Sequence, residues 1–380
     1  MGSPAFATSS SAERMRLLGD FVRLCELESP SRRERPVADA LTADLRALGL
    51  EVEEDQSGAE TGADAGNLLA RIPGPEGART ILLCAHMDTV PLDAPVDVVR
   101  EHDAFVNRNA AILGADNKAA VVTIMGAARR LVEVGSPVTV ELLFTTCEEQ
   151  ALAGAKAFDA GRLRSEFGFV FDHASPVGEV IVASPTYYRL VGRMHGAAAH
   201  AGMHPERGHN AIVAVSRALA QMPLGRLDDA TTANAGRIDG GTAANVVAER
   251  CVVELEARSL DEARAGELVG ELVDKLTEAA SDTECDVETS IERLFRGYRL
   301  PRTAQPVVVA ERALASCGIE PVPVATGGGS DANVFIANGL TVVNLANGTE
   351  RPHQPDEAVS VDALETMLDV TLALVAASAE

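Results

Sequence analysis

Residues 138–149 read Val-Thr-Val-Glu-Leu-Leu-Phe-Thr-Thr-Cys-Glu-Glu. The stretch opens as an apolar strand over Val138–Phe144 and closes on two adjacent glutamates, Glu148 and Glu149. Two other stretches follow the same plan. Ile81–Cys84 runs into Ala-His86-Met-Asp88, and Phe167–Phe171 runs into Asp172-His173. Strands that are apolar along their whole length are covered on both faces, which is the situation in a parallel sheet flanked by helices.

Working outward, helical periodicity marks two helices in residues 12–50, broken at Pro30, and further helices at Ala119–Val132, Ala151–Ala160, Pro306–Cys317, Asp331–Asn338 and Val361–Ala376. Strands are expected at Leu68–Ile72, Pro321–Ala325 and Thr341–Leu345. Alternating strands and helices predict an α/β fold with an open, mostly parallel sheet. The pattern changes near Ser184–Tyr188. There, Tyr188, Leu190, Gly192 and Met194 interleave with Arg189, Val191, Arg193 and His195, as in a sheet with one solvated face. Helices at Asn210–Gln221 and Asp261–Ala279, and strands at Val246–Arg258 and Val287–Arg293, complete an α+β segment of βαββαβ type. The expected organisation is a discontinuous catalytic domain of residues 1–186 and 301–380, with an inserted lid or dimerisation domain at 187–300.

Composition sets outer limits. The chain has 380 residues, of which 46% are apolar, enough for two cores. Its net charge of -23 argues against nucleic acid or an anionic membrane as partner, because both recruit clustered Lys and Arg. With 3% aromatics and no Trp, stacking platforms for bases or sugars are not expected. The six cysteines are scattered and form no C-x-x-C pair, which predicts free thiols in a reducing compartment. Met1–Ser11 is small and polar and lacks a basic segment leading into an apolar one, so no secretory signal is read there. No uncharged apolar run approaches the roughly 18–20 residues of a membrane span. A cytoplasmic protein is expected.

The chemistry lies at the strand ends, where open α/β sheets form their sites. Three strand ends, together with Gly114-Ala-Asp116-Asn-Lys118 before the Ala119 helix, deliver metal-capable groups to one rim. Singly, each has an ordinary reading: a surface histidine, a solvated charge pair, a helix cap. Their joint placement is what points to a site. Carboxylates with imidazoles suit Zn²⁺, with Mn²⁺ or Co²⁺ possible. Cys84 and Cys147 are read as core residues.

In order along the chain, His86-x-Asp88, Gly114-Ala-Asp116-Asn-Lys118, Thr146-Cys-Glu148-Glu149, Asp172, His200-Ala-Gly202 and Pro352-His353-x-Pro-Asp-Glu357 resemble the co-catalytic dinuclear zinc metallopeptidases. That family comprises aminoacylases, carboxypeptidase G-type enzymes and peptidase T. Gly154-Ala-Lys-Ala-Phe158 and Gly327-Gly-Gly-Ser-Asp-Ala-Asn333 are most similar to its peptidase T-like branch. The resemblance covers nearly the whole chain after about residue 15. It implies two Zn²⁺ per chain: His86 and Asp172 on one, Glu149 and His353 on the other, and Asp116 bridging. It also implies that Asp88 orients His86 and that Glu148 is the general base. A pair of ions about 3.5–4 Å apart polarises a carbonyl and holds water, but a base that is not itself a ligand is still needed. Two departures stand out: Asn117 replaces a frequent second aspartate, and Cys147 precedes the glutamates.

For the substrate, the resemblance implies that His200 stabilises the developing oxyanion and that Asn245, in Gly240-Gly-Thr-Ala-Ala-Asn245, binds substrate. Arg258 can pair bidentately with a carboxylate. The loop containing Gly328 and Ser330 offers backbone amides before a helix. The expected activity is amide hydrolysis in short peptides, of the tripeptide aminopeptidase kind. The alternatives are removal of an N-acyl or N-carbamoyl group from an amino acid, a carboxypeptidase, and a metal-binding regulatory protein. A homodimer through an edge strand of the lid is a further expectation.

Overall fold

The computed structural model describes residues 8–380. Residues 1–7, part of the start read above for a signal, lie outside the described residues. The chain divides into two compact units. One holds residues up to Val182 with Leu300–Ala325 and Ser330–Glu380; the other holds Ala183–Arg299 with Thr326–Gly329. The inserted unit thus begins four residues earlier than expected, and it takes in part of the glycine loop. A main-chain bond from the Thr326 N–H to the Ala183 carbonyl accounts for that grouping.

The first unit is built on a nine-stranded sheet. Its centre consists of four parallel strands, in spatial order Thr139–Thr145, Thr80–His86, Phe167–His173 and Val342–Ala346. Antiparallel strands flank them, among them Leu68–Ile72 on one side and Glu179–Ser184 on the other. Register aligns the functional ends: His86 lies opposite Thr145, and Ala346 opposite His173. The central strands are buried almost throughout, as their largely apolar sequence requires, with Glu141 and Asn344 as buried polar exceptions.

Helix Ala115–Val134 packs on strands Thr80–His86 and Phe167–His173 and also against helices Ser11–Cys25 and Val361–Ala377. Neighbours on both sides explain why it is apolar nearly all round. Asp116 and Asn117 have non-helical backbone angles, so the regular helix starts after them. The expected helix at 151–160 shrinks to Ala153–Ala157 plus a 3₁₀ turn.

The second unit is a five-stranded antiparallel sheet, in spatial order Gly225–Asp228, Thr231–Gly240, Arg250–Ser259, Thr186–His195 and Asp286–Phe295. Helices Ala211–Gln221 and Glu262–Asp282 pack against it, around Leu190, Met194, Val215, Val253, Leu255, Leu272 and Leu276. Asn210 and Asp261 cap these helices with their side-chain oxygens. Three strands, not two, lie between the helices, because Gly225–Asp228 adds a short hairpin arm to Thr231–Gly240.

Candidate metal centre

His86 closes its strand with a fully buried ring. Nδ1 lies 3.0 Å from the main-chain carbonyl oxygen of Asp88 and 3.3 Å from that residue's Oδ1. Nε2 lies 3.5 Å from Asp116 Oδ1 and 3.4 Å from Asp172 Oδ1. Across Asp116, His353 Nε2 is 3.5 Å from Oδ2 and 2.7 Å from Glu149 Oε1. Donor atoms of His86, Asp116 and Asp172 all lie within 4.8 Å of one another, as do those of Asp116, Glu149 and His353. A third group within this limit joins His86, Glu148 and Glu149. Asp116 therefore shows one oxygen to each of two imidazole–carboxylate sets.

The electrostatics call for cations. Burial alone would lower the His86 imidazole, but Asp172, Asp116 and Asp88 hold it well above its ordinary value. Asp116, although buried, is kept well below the carboxylate range by His353 and His86. Burial, then the Asp172 charge, pushes Glu148 far up. Asp331, read from the sequence only as the start of a helix, is a buried carboxylate raised to about 7 by desolvation and by the charges of Asp172 and Asp88. Its Oδ2 accepts the Thr145 hydroxyl at 2.5 Å. Among the described residues, His86 Nε2 and Asp116 Oδ1 are buried without a hydrogen-bond partner. A buried excess of carboxylates with orphaned donor atoms at its centre fits divalent metal and fits little else.

Of the supports of the ligands, only Asp88 behind His86 is expected from the sequence. Asp88 does more than back His86. Its Oδ1 accepts the Glu148 N–H at 2.9 Å, and its Oδ2 accepts the Glu149 N–H at 3.2 Å and the Ser31 hydroxyl at 2.7 Å. Glu357 accepts the N–H groups of Leu113, Gly114 and Asp116, each at 2.8 Å, while burial pushes it up to about 7. Asn344 brackets Asp172, accepting its N–H and donating to its carbonyl, both at 2.8 Å. Asn117 donates to the Phe171 carbonyl at 2.7 Å, tying the Asp116 loop to the Asp172 strand. That is a job for an amide, and a carboxylate cannot do it. A lone Asn inside the apolar run 342–346 was the one signal available for Asn344. Cys84 and Cys147 are buried, and desolvation raises both thiols, Cys147 to about 12.

Each expected substrate residue has a definite place. His200 and Asn245 are exposed neighbours in the second unit: His200 bridges to Val246, and the Ala201 N–H donates to the Asn245 carbonyl. Arg258 lies 4.0 Å over the Tyr187 ring, with Nη1 on the Gly327 carbonyl and Nη2 on Glu256. It supports the glycine loop. Gly328 accepts the Ser184 hydroxyl through its carbonyl. Ser330 is buried at the start of helix Asp331–Ala337, its N–H on Asn333 Oδ1.

Parallel strand ends that gather two imidazole–carboxylate sets around one shared aspartate define a metal-dependent hydrolase. The model of peptidase family M20/M25/M40 matches residues 82–377, and the chain belongs to that family. It is 35% identical over 366 residues to the uncharacterized protein YqjE of Bacillus subtilis (strain 168), covering 96% of this chain and 99% of that one. Among solved structures it is similar to aminopeptidase PepT from Bacillus cereus ATCC 10987, with TM-score 0.87, 35% identity, and 97% and 99% of the two chains covered. It is also similar to a tripeptidase from Staphylococcus aureus subsp. aureus Mu50, with TM-score 0.92, 29% identity, and 96% and 98% covered. The protein is a hydrolase of peptide bonds.

Proposed function

We propose that the chain is a dinuclear zinc aminopeptidase of the peptidase T type that cleaves short peptides, tripeptides foremost. The observation that carries the reading is Asp116, whose two oxygens face two separate ligand sets while Glu148 sits beside them. His86 and Asp172 would hold one ion, Glu149 and His353 the other, and Asp116 both. When bound, the ions supply Lewis acidity to the peptide carbonyl and to water. Glu148, desolvated and positioned by Asp88, takes a proton from water at its carboxylate and passes it to the leaving amine. Likeness along nearly the full length of an aminopeptidase and a tripeptidase supports the exopeptidase choice.

His200 and Asn245, exposed side by side, are proposed as substrate contacts, His200 at the oxyanion. Arg258, Gly328 and Ser330 are proposed to shape the site for the substrate carboxylate. The second unit would serve as lid, and its outer strand Asp286–Phe295, unpaired on one edge among the described residues, as a route to a homodimer. Five buried thiols among six free cysteines fit a reducing cytoplasm. No helix among the described residues is long and apolar enough to cross a membrane.

The test is a zinc-loaded digest of a free tripeptide, the same tripeptide with a blocked N-terminus, and N-acyl amino acids, with products identified by mass spectrometry. Release of the N-terminal residue from the free tripeptide alone is expected. Turnover of N-acyl amino acids alone would replace the aminopeptidase reading with a deacylase.

A further inference from the structure

Beyond the end of strand Thr139–Thr145, four successive main-chain N–H groups have left the sheet, and all four donate to side chains. Thr146 donates to Asn67 Oδ1 at 3.0 Å, Cys147 to Glu34 Oε1 at 3.0 Å, and Glu148 and Glu149 to the Asp88 carboxylate. The segment that follows is conformationally costly. Cys147, Ala151 and Leu152 all adopt left-handed angles, with φ of 50°, 58° and 63°. Such residues persist only where their surroundings over-determine them.

Glu34 is the unexpected member of this set. It stands at the N-cap of helix Arg35–Ala47, a position that the short side chains of Ser, Thr, Asp and Asn ordinarily fill. Its carboxylate makes no capping bond to that helix. Instead Oε1 accepts the Arg32 N–H at 2.9 Å, the Cys147 N–H and, at 3.3 Å, the Cys147 thiol. The residue is 0% exposed, and Oε2 has no hydrogen-bond partner among the described residues. Burying a carboxylate so incompletely satisfied costs stability, and an apolar side chain of similar size would avoid that cost. The expense is understandable if the oxygen at Cys147 sets the geometry of the two residues that follow.

We propose that Glu34 is a positioning residue for the reaction. Acting through the Cys147 main chain, it fixes the turn so that Glu148 and Glu149 diverge, one to take up a proton and the other to hold metal. This inference rests on the roles proposed above for those two glutamates. Cys147 then has its own explanation: its thiol gives Oε1 a third donor.

The test uses the full-length, zinc-loaded protein and a tripeptide substrate, with kcat expressed per chain carrying two metal ions. Glu34→Leu is expected to lower kcat by about 10–100-fold, the range seen for supports of metal-site residues, with KM unchanged. Glu34→Gln keeps an oxygen acceptor toward Cys147 and is expected to recover most of the rate. Wild-type kcat in Glu34→Leu would overturn the inference. So would a loss that disappears once rate is normalised to metal-loaded chains, or a Glu34→Gln variant as impaired as the leucine one. Glu148→Gln is measured alongside. If it turns over normally, the base assignment falls and the positioning of that base with it; if it is inert while Glu34→Leu is fully active, only the Glu34 inference falls.

Discussion

Asp88 Oδ1 accepts the main-chain N–H of Glu148 at 2.9 Å. The residue that backs the buried histidine therefore also sets the position of the proposed base, and Asp88 couples the two halves of the chemistry. Asp88→Asn puts an NH₂ group against one of the two amides it now receives. The expected result is a 10–100-fold fall in kcat together with weaker metal binding. Steady-state kinetics and metal titration check it, and a variant altered in neither would show that the turn is held by its other supports.

Glu148 is buried, belongs to neither set that shares Asp116, and is pushed well above the usual carboxylate range by desolvation and then by the Asp172 charge. Glu148→Gln keeps the shape and removes the proton acceptor. It should bind two metal ions yet lose about 10²–10⁴-fold in kcat. Metal analysis beside kinetics separates the two effects, and normal turnover would refute the assignment.

Asp116 carries the claim of a metal pair. With Asp116→Ala neither set keeps its shared oxygen, and the chain should retain at most one ion after remetallation and dialysis. Two tightly held ions per chain, measured by elemental analysis, would contradict the bridge.

The strand ends were legible because a buried parallel strand must be apolar along its length. His86, Asp172 and the glutamate pair then stood out as abrupt polar endings, and all of them meet in space. Less legible was whatever acts through the main chain. Glu34 reads as part of a turn, Glu357 as part of the His353 motif and Asp331 as the opening of a helix; Glu34 and Glu357 accept main-chain N–H groups far away in sequence, and Asp331 accepts the distant Thr145 hydroxyl. Asn117 looked like a lost carboxylate and is an inter-loop tie. In the second unit, Thr231–Gly240 went unread because Thr-Thr-Ala-Asn-Ala-Gly carries no apolar alternation. It is a strand because its neighbours supply the ladder.

His353 gives the protein a pH signature. Asp116 and Glu149 hold its imidazolium up to about 10, against burial and above the ordinary value of 6.5. A group raised on folding stabilises fully below its unfolded value and loses that contribution as pH rises through its folded one. In chelated protein, the melting temperature of wild type should exceed that of His353→Gln by a constant margin below about pH 6.5, and the margin should close by about pH 10. The side chain is about half exposed, so the margin is that of a screened ion pair. Zinc requires the neutral ring. Near pH 8, metal binding should therefore expel a proton that His353→Gln does not release, read by calorimetry in buffers of different ionisation enthalpy. Equal proton release from both proteins would remove His353 from the ligand set.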